Sequence, residues 1–135
     1  MQPFAGKATL VSPAVTNGPP PAMGTGWLDS FFSECAKLGC TVDAVAAHIY
    51  ADASDASYFK SYISGLSKYG KPVLMTEVGT SGGSAQEQQA LVDELVPFLD
   101  GLSTVSHYAW FMAGQGILVN GDGSLTALGQ AYQSA

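Results

Sequence analysis

Pro72-Val73-Leu74-Met75-Thr76-Glu77-Val78 is an apolar run opened by a proline and broken by one carboxylate. A proline at the first position of a strand does least harm, because its missing N–H is not yet needed by a ladder. A nearly continuous apolar run suits a strand covered on both faces, as in a parallel sheet. A Gly/Ser turn then leads to Ser84-Ala85-Gln86-Glu87, a capping box in which hydroxyl and carboxylate satisfy two orphan backbone N–H groups reciprocally. The helix it opens carries Leu91, Val92, Leu95, Val96 and Leu99 at three- and four-residue steps, and Pro97 is expected to bend it or end it early. Strand then helix is one unit.

Working outward, the same unit recurs. Upstream, Val42 to Tyr50 is a second apolar run rich in β-formers, followed by a helical stripe of Phe59, Tyr62, Ile63, Leu66 and Tyr69. Before it, Lys7 to Ser12 reads as a short strand ended by Pro13. A Pro/Gly loop follows, and then a helix marked by Trp27, Leu28, Phe31, Phe32, Cys35 and Leu38 that Gly39 stops. Downstream, Val105 to Met112 is the fourth strand, and Leu125 to Tyr132 supplies a last short helix. Strands starting near Lys7, Val42, Pro72 and Val105 make four strand–helix repeats, so the fold class is α/β with parallel βαβ units. Right-handed crossovers then place every loop after a strand at one edge, where function is expected. Four units fit either an open doubly wound sheet or half of an eight-stranded barrel.

The 135 residues are 47% hydrophobic, enough for one core and against general disorder. Only 12% are charged and the formal net charge is −6, which disfavours nucleic acid and anionic membranes as partners. No apolar run approaches the about 20 residues that span a bilayer, and Met1-Gln2-Pro3-Phe4 has neither the basic nor the apolar stretch of a secretion signal. Cys35 and Cys40 flank the helix end at Leu38-Gly39, where a left-handed glycine would fold Cys40 back within bridging distance; two reduced thiols are the alternative. No cysteine or histidine set completes a metal site, and no phosphate loop or dinucleotide fingerprint implies a cofactor.

Strand ends supply Asn17, then His48 and Tyr50, then Glu77, then Trp110 with Phe111. A carboxylate among apolar neighbours is expensive to bury unless paired or used, which marks Glu77 as the candidate catalytic group over a satisfied structural carboxylate. The strand period of two puts His48 and Tyr50 on one face. Trp110 is either a plug of the barrel end or a platform for stacking sugars. Gly79-Thr80-Ser81-Gly82-Gly83 also matches a nucleophile elbow, with Asp100 and His107 following in order. Against a serine esterase, Gly82-Gly83 and a cap at Ser84 separate Ser81 from its helix.

These residues carry a resemblance. Leu10-Val11-Ser12-Pro13-Ala14-Val15-Thr16-Asn17, Cys40-Thr41-Val42-Asp43 leading to Ala47-His48-Ile49-Tyr50, and Gly70-Lys71-Pro72-Val73 leading to Thr76-Glu77 together resemble glycoside hydrolase family 128. The family's members are fungal β-1,3-glucanases similar to the alkali-sensitive-linkage protein. The resemblance implies a partial glycosyl hydrolase catalytic domain over residues 1–135, the second half of a (β/α)8 barrel. It implies retaining hydrolysis of β-1,3-glucan with Glu77 as nucleophile and His48 and Tyr50 supporting it. By the same resemblance Trp110 is expected to floor the sugar subsite, and Asn17, Tyr50 and Tyr108 are expected to help hold the glucan.

The family's acid/base sits in an Asn-Glu-Pro motif, and no Asn-Glu pair occurs here. Glu34, Glu87 and Glu94 fall on predicted helices, leaving Asp52 and Asp55 as the nearest stand-ins. A shortened form of a longer enzyme is therefore expected, with Met1 an internal methionine and a secreted or cell-wall location for the parent. Open strand edges would allow a homodimer, and a non-catalytic, lectin-like β-glucan-binding or self-associating role is the alternative function.

Overall fold

The computed structural model describes residues 2–135, so the reading of Met1 lies outside the described residues. Three strands, β1 (Val45–Asp52), β2 (Val73–Gly82) and β3 (Val105–Trp110), form one parallel sheet in that order. Helix α1 (Gly24–Leu38) precedes β1, α2 (Ala56–Gly65) joins β1 to β2, α3 (Ala85–Gly101) joins β2 to β3, and α4 (Ala127–Ser134) follows. A 3-10 turn at Leu66–Tyr69 continues α2. The α/β class and its parallel crossovers are as the sequence predicts.

The first predicted strand differs. Lys7–Ser12 is not a strand: the first segment runs beside the start of β1 and makes only isolated parallel bridges there, Val11 to Ala44 and Val15 to Ala47, in place of a continuous ladder. Pro13, which has no N–H to give, sits between the two bridges and breaks the ladder. Side chains replace the lost bonds. Asp43 Oδ2 accepts from Leu10 N at 2.7 Å, and the buried Ser12 hydroxyl accepts from Ala46 N at 3.0 Å.

Pro97 does not shorten its helix. α3 runs on to Gly101, because buried Leu91, Val92, Leu95 and Val96 before the proline and Leu99 after it anchor both sides to the sheet. Its start is the predicted capping box: Ser84 Oγ accepts from Glu87 N at 3.3 Å while Ser84 N donates to Glu87 Oε2 at 2.7 Å.

Gly39 ends α1 in the left-handed conformation, φ 66°, and returns the chain so that Cys40 N bonds to Cys35 O at 3.0 Å. The two cysteines are free thiols. The Cys35 thiol is pushed up by its hydrogen bond to Cys40, with burial and the neighbouring charge adding to it.

The core lies between sheet and helices: Val45, Ala47, Ile49, Val73, Met75 and Val78 point out of the sheet onto Leu28, Phe59, Ile63, Leu91 and Leu95. By the strand alternation the other face carries His48, Tyr50 and Thr76, which are partly or fully open.

Candidate active site

Glu77 reaches that open face because of a bulge. In the β1–β2 ladder Ala47 pairs with Met75 but His48 pairs with Glu77, so Thr76 is an extra residue without a partner. Two consecutive side chains, Thr76 and Glu77, consequently serve the same neighbour: Thr76 Oγ1 lies 3.0 Å from His48 Nε2, and Glu77 Oε2 lies 3.6 Å from His48 Nδ1. Bulges redirect side chains in this way. Strict alternation would have sent Glu77 into the helix layer beside Met75.

Tyr50 completes the grip. Its hydroxyl donates to Glu77 Oε2 at 2.6 Å, a short charge-assisted bond. The phenol pKa is raised, first by burial and then by the bond to, and charge of, Glu77, so Tyr50 stays a donor. Tyr50 is held in turn: Asn17 Oδ1 accepts from Tyr50 N and Asn17 Nδ2 donates to Tyr50 O, both at 3.0 Å. Asn17 Nδ2 also reaches Tyr58 Oη at 3.1 Å. Asn17 thus latches the first segment to the end of β1 and orients Tyr50.

Across the mouth stands Phe111, its ring edge-on to Tyr50 at 6.0 Å between centroids and 80° between planes. It is 42% exposed, whereas Trp110 is 7% exposed. Trp110 packs instead against Tyr132 of α4, and Tyr108 donates to Asp100 of α3 at 2.7 Å. Both face the helix layer, because alternation along β3 sends every second residue outward; His107 and Ala109 lie on the opposite face and are exposed. The open aromatic is therefore Phe111, one residue beyond the expected Trp110. Gly79 makes the mouth possible: a Cβ there would lie 2.8 Å from Tyr50 Cε1 and 3.2 Å from Phe111 O.

Thr76, Tyr58 and Gly79 were not singled out from sequence. A bulge leaves no mark in an apolar run, and Gly79 could be read only as part of a glycine-rich turn.

The other glutamates are engaged elsewhere. Glu34 pairs with Lys37 at 2.6 Å, Glu94 with Lys60 at 2.7 Å, and Glu87 caps α3. Asp52 accepts from Ser54 N and Ser54 Oγ, which hold its carboxyl below the ordinary range, the wrong direction for a proton donor. Asp55 sits at the start of α2 without capping it through its side chain. The esterase set is scattered: β2 continues through Ser81 to Gly82, so no elbow forms there, and Asp100 is taken by Tyr108.

The family described as glycosyl hydrolase catalytic core matches residues 1–132. Alkali-sensitive linkage protein 1 of Schizosaccharomyces pombe is 32% identical over 140 aligned positions, which take in 93% of this chain and 25% of that protein. A curdlan-specific exo-β-1,3-glucanase of Blastomyces gilchristii, solved with glucose, superposes with a TM-score of 0.86 at 36% identity, covering 100% of this chain and 58% of its own. An endo-β-1,3-glucanase of Amycolatopsis mediterranei, solved with laminaritriose, gives 0.84 at 31% identity, covering 96% and 59%. The chain thus spans about a quarter of the curated relative's length and under two thirds of the solved ones. It belongs to the glycosyl hydrolase catalytic core family, as a partial barrel of glycoside hydrolase family 128.

Proposed function

We propose that this chain carries the nucleophile and part of the sugar-binding mouth of a retaining β-1,3-glucanase. The observation behind the reading is the Glu77 carboxylate at an open sheet edge, held by the Tyr50 hydroxyl at 2.6 Å and flanked by His48. A Glu77 oxygen attacks the anomeric carbon, the glycosidic C–O bond breaks, and water later releases the sugar from the enzyme. Asn17 positions Tyr50, and Phe111 offers the apolar platform against which a glucose ring stacks. Trp110 and Tyr108 brace this strand end from behind. A β-glucan substrate also fits a cell-wall or secreted setting.

In the first step the departing oxygen needs a proton from a second carboxyl about 5–5.5 Å from the nucleophile. Glu34, Glu87 and Glu94 are engaged elsewhere, and Asp52 is held ionised. The donor is therefore expected outside these residues. That supports a second reading, in which the chain binds β-glucan without cleaving it.

An activated substrate separates the two. A dinitrophenyl β-laminaribioside carrying 2-fluorine has a leaving group that departs as a phenolate without protonation, so the nucleophile alone suffices to form the covalent adduct. The expected result is one fluoroglycosyl adduct by mass spectrometry, lost in Glu77→Gln. Retention on insoluble β-1,3-glucan with no adduct would leave binding as the function, and neither would overturn both.

A further inference from the structure

His48 stands between two side chains of β2. Thr76 Oγ1 lies 3.0 Å from its Nε2, and Glu77 Oε2 lies 3.6 Å from its Nδ1. A neutral imidazole carries one proton, so one ring nitrogen is an N–H and the other a lone pair, and their partners decide which is which. A threonine hydroxyl donates or accepts, so Thr76 by itself permits either tautomer. Glu77 decides between them. Its Oε2 accepts from the Tyr50 hydroxyl at 2.6 Å, which keeps negative charge on the oxygen that faces the ring. The 3.6 Å gap is too long for a direct hydrogen bond. A nitrogen lone pair turned to that charge is nevertheless repelled, and an N–H is attracted. The proton therefore belongs on Nδ1, Nε2 is the acceptor, and the Thr76 hydroxyl is the donor.

The bulge gives that donor its place. Ala47 pairs with Met75 and His48 with Glu77, so Thr76 is the residue the ladder skips. A bulge sets two consecutive side chains against one opposing residue, and here each of the two takes one nitrogen of His48. Among the described residues the Thr76 hydroxyl has no other hydrogen-bond partner.

We propose that Thr76 is a positioning residue: its hydroxyl donates to His48 Nε2 and so holds the imidazole in the Nδ1–H tautomer, with that N–H turned to the Glu77 carboxylate. Without the donor the ring is free to take the other tautomer, and the lone pair then facing Glu77 pushes the carboxylate away from its place beside Tyr50.

The chain has two histidines, so His107→Gln leaves His48 as the one imidazole to observe. Nitrogen NMR of isotope-labelled histidine tells a protonated ring nitrogen from a bare one. The spectrum is recorded at about pH 8.5, roughly two units above the ordinary histidine pKa. A proton on Nδ1 and a bare Nε2 are expected. Thr76→Val keeps the β-branched shape and removes the donor; it should mix the two tautomers with unchanged circular dichroism, and Thr76→Ser should restore the single one. A kinetic arm rests on the reading of Glu77 as nucleophile. Loss of one hydrogen bond should slow adduct formation with the fluorinated laminaribioside about 2- to 12-fold in Thr76→Val, at an unchanged half-saturating concentration, with Thr76→Ser near the parent rate. A proton on Nε2 of the parent chain, alone or beside one on Nδ1, overturns the proposal. So does a Thr76→Val variant with the parent's spectrum or the parent's rate. A parent chain that forms no adduct would instead remove the reading of Glu77, and the spectra alone would then decide the role of Thr76.

Discussion

Tyr50 gives its hydroxyl to Glu77 and both its backbone groups to the Asn17 side chain, so one residue ties the carboxylate to the first segment. Tyr50→Phe removes the donor and keeps the ring. A hydrogen bond to a charged group contributes about 1.5–3 kcal/mol, so adduct formation with the activated glycoside should slow roughly 10- to 150-fold. Single-turnover kinetics measures this, with circular dichroism confirming an intact fold. An unchanged rate would remove Tyr50 from the site.

Phe111 and Trp110 should separate cleanly. Phe111→Ala is expected to weaken retention on insoluble β-1,3-glucan with little change in stability, because the ring is 42% exposed. Trp110→Ala empties a core position against Tyr132 and should cost about 3–5 kcal/mol in urea unfolding. The opposite pattern would restore Trp110 as the sugar platform.

Gly79→Ala tests how tightly the mouth is built. The new methyl meets the Tyr50 ring at 2.8 Å and the Phe111 carbonyl at 3.2 Å, and the carbonyl cannot rotate away. Overpacking of this kind costs about 1–3 kcal/mol, and the displaced Tyr50 should slow adduct formation beyond what the stability loss explains. Measuring both in one variant checks the coupling.

Alkaline pH should destabilise the fold through its tyrosines. Burial is the first cause that raises Tyr50, Tyr62, Tyr69 and Tyr108, with Tyr62 and Tyr108 pushed up to about 12. The native state then holds protons that the unfolded state, titrating near 10, releases. Their contribution is fully present below about pH 10 and is lost as pH rises through the native values. Phenolate absorbance of native protein should lag that of protein in denaturant, and the urea midpoint should fall above about pH 10. Coincident absorbance titrations would contradict the burial of these rings.

The sequence carries the α/β alternation, the capping box and the left-handed Gly39 because each is local. Periodicity, a cap and a glycine after the last apolar residue are written within a few positions of one another. The first strand was misread because an apolar run says nothing about whether its partner ladder survives a proline. The early helix end allowed for at Pro97 fails in the reverse direction: five buried residues outweighed one missing bond, and burial of that kind is known only once the sheet is placed. At the site, His48, Tyr50 and Glu77 were visible as strand-end polar groups. The aromatic was displaced by one residue, since the end of a strand cannot be fixed to better than about one or two positions from sequence.

Thr76 sets the regularity of the sheet against the hold on one imidazole. Deleting it would let β1 and β2 pair without interruption from Val45 to Ala51, and the ladder would gain the bonds it now forgoes. The same deletion would leave the two faces as they are, because Glu77 already pairs with His48 and would follow Met75 in ordinary alternation. What would go is the Thr76 hydroxyl 3.0 Å from His48 Nε2, and with it the second hold on the imidazole beside Glu77. Selection for thermal stability alone would shed this residue, whereas selection for a fixed imidazole beside the carboxylate would keep it, so the extra residue in β2 reports which pressure the chain has answered.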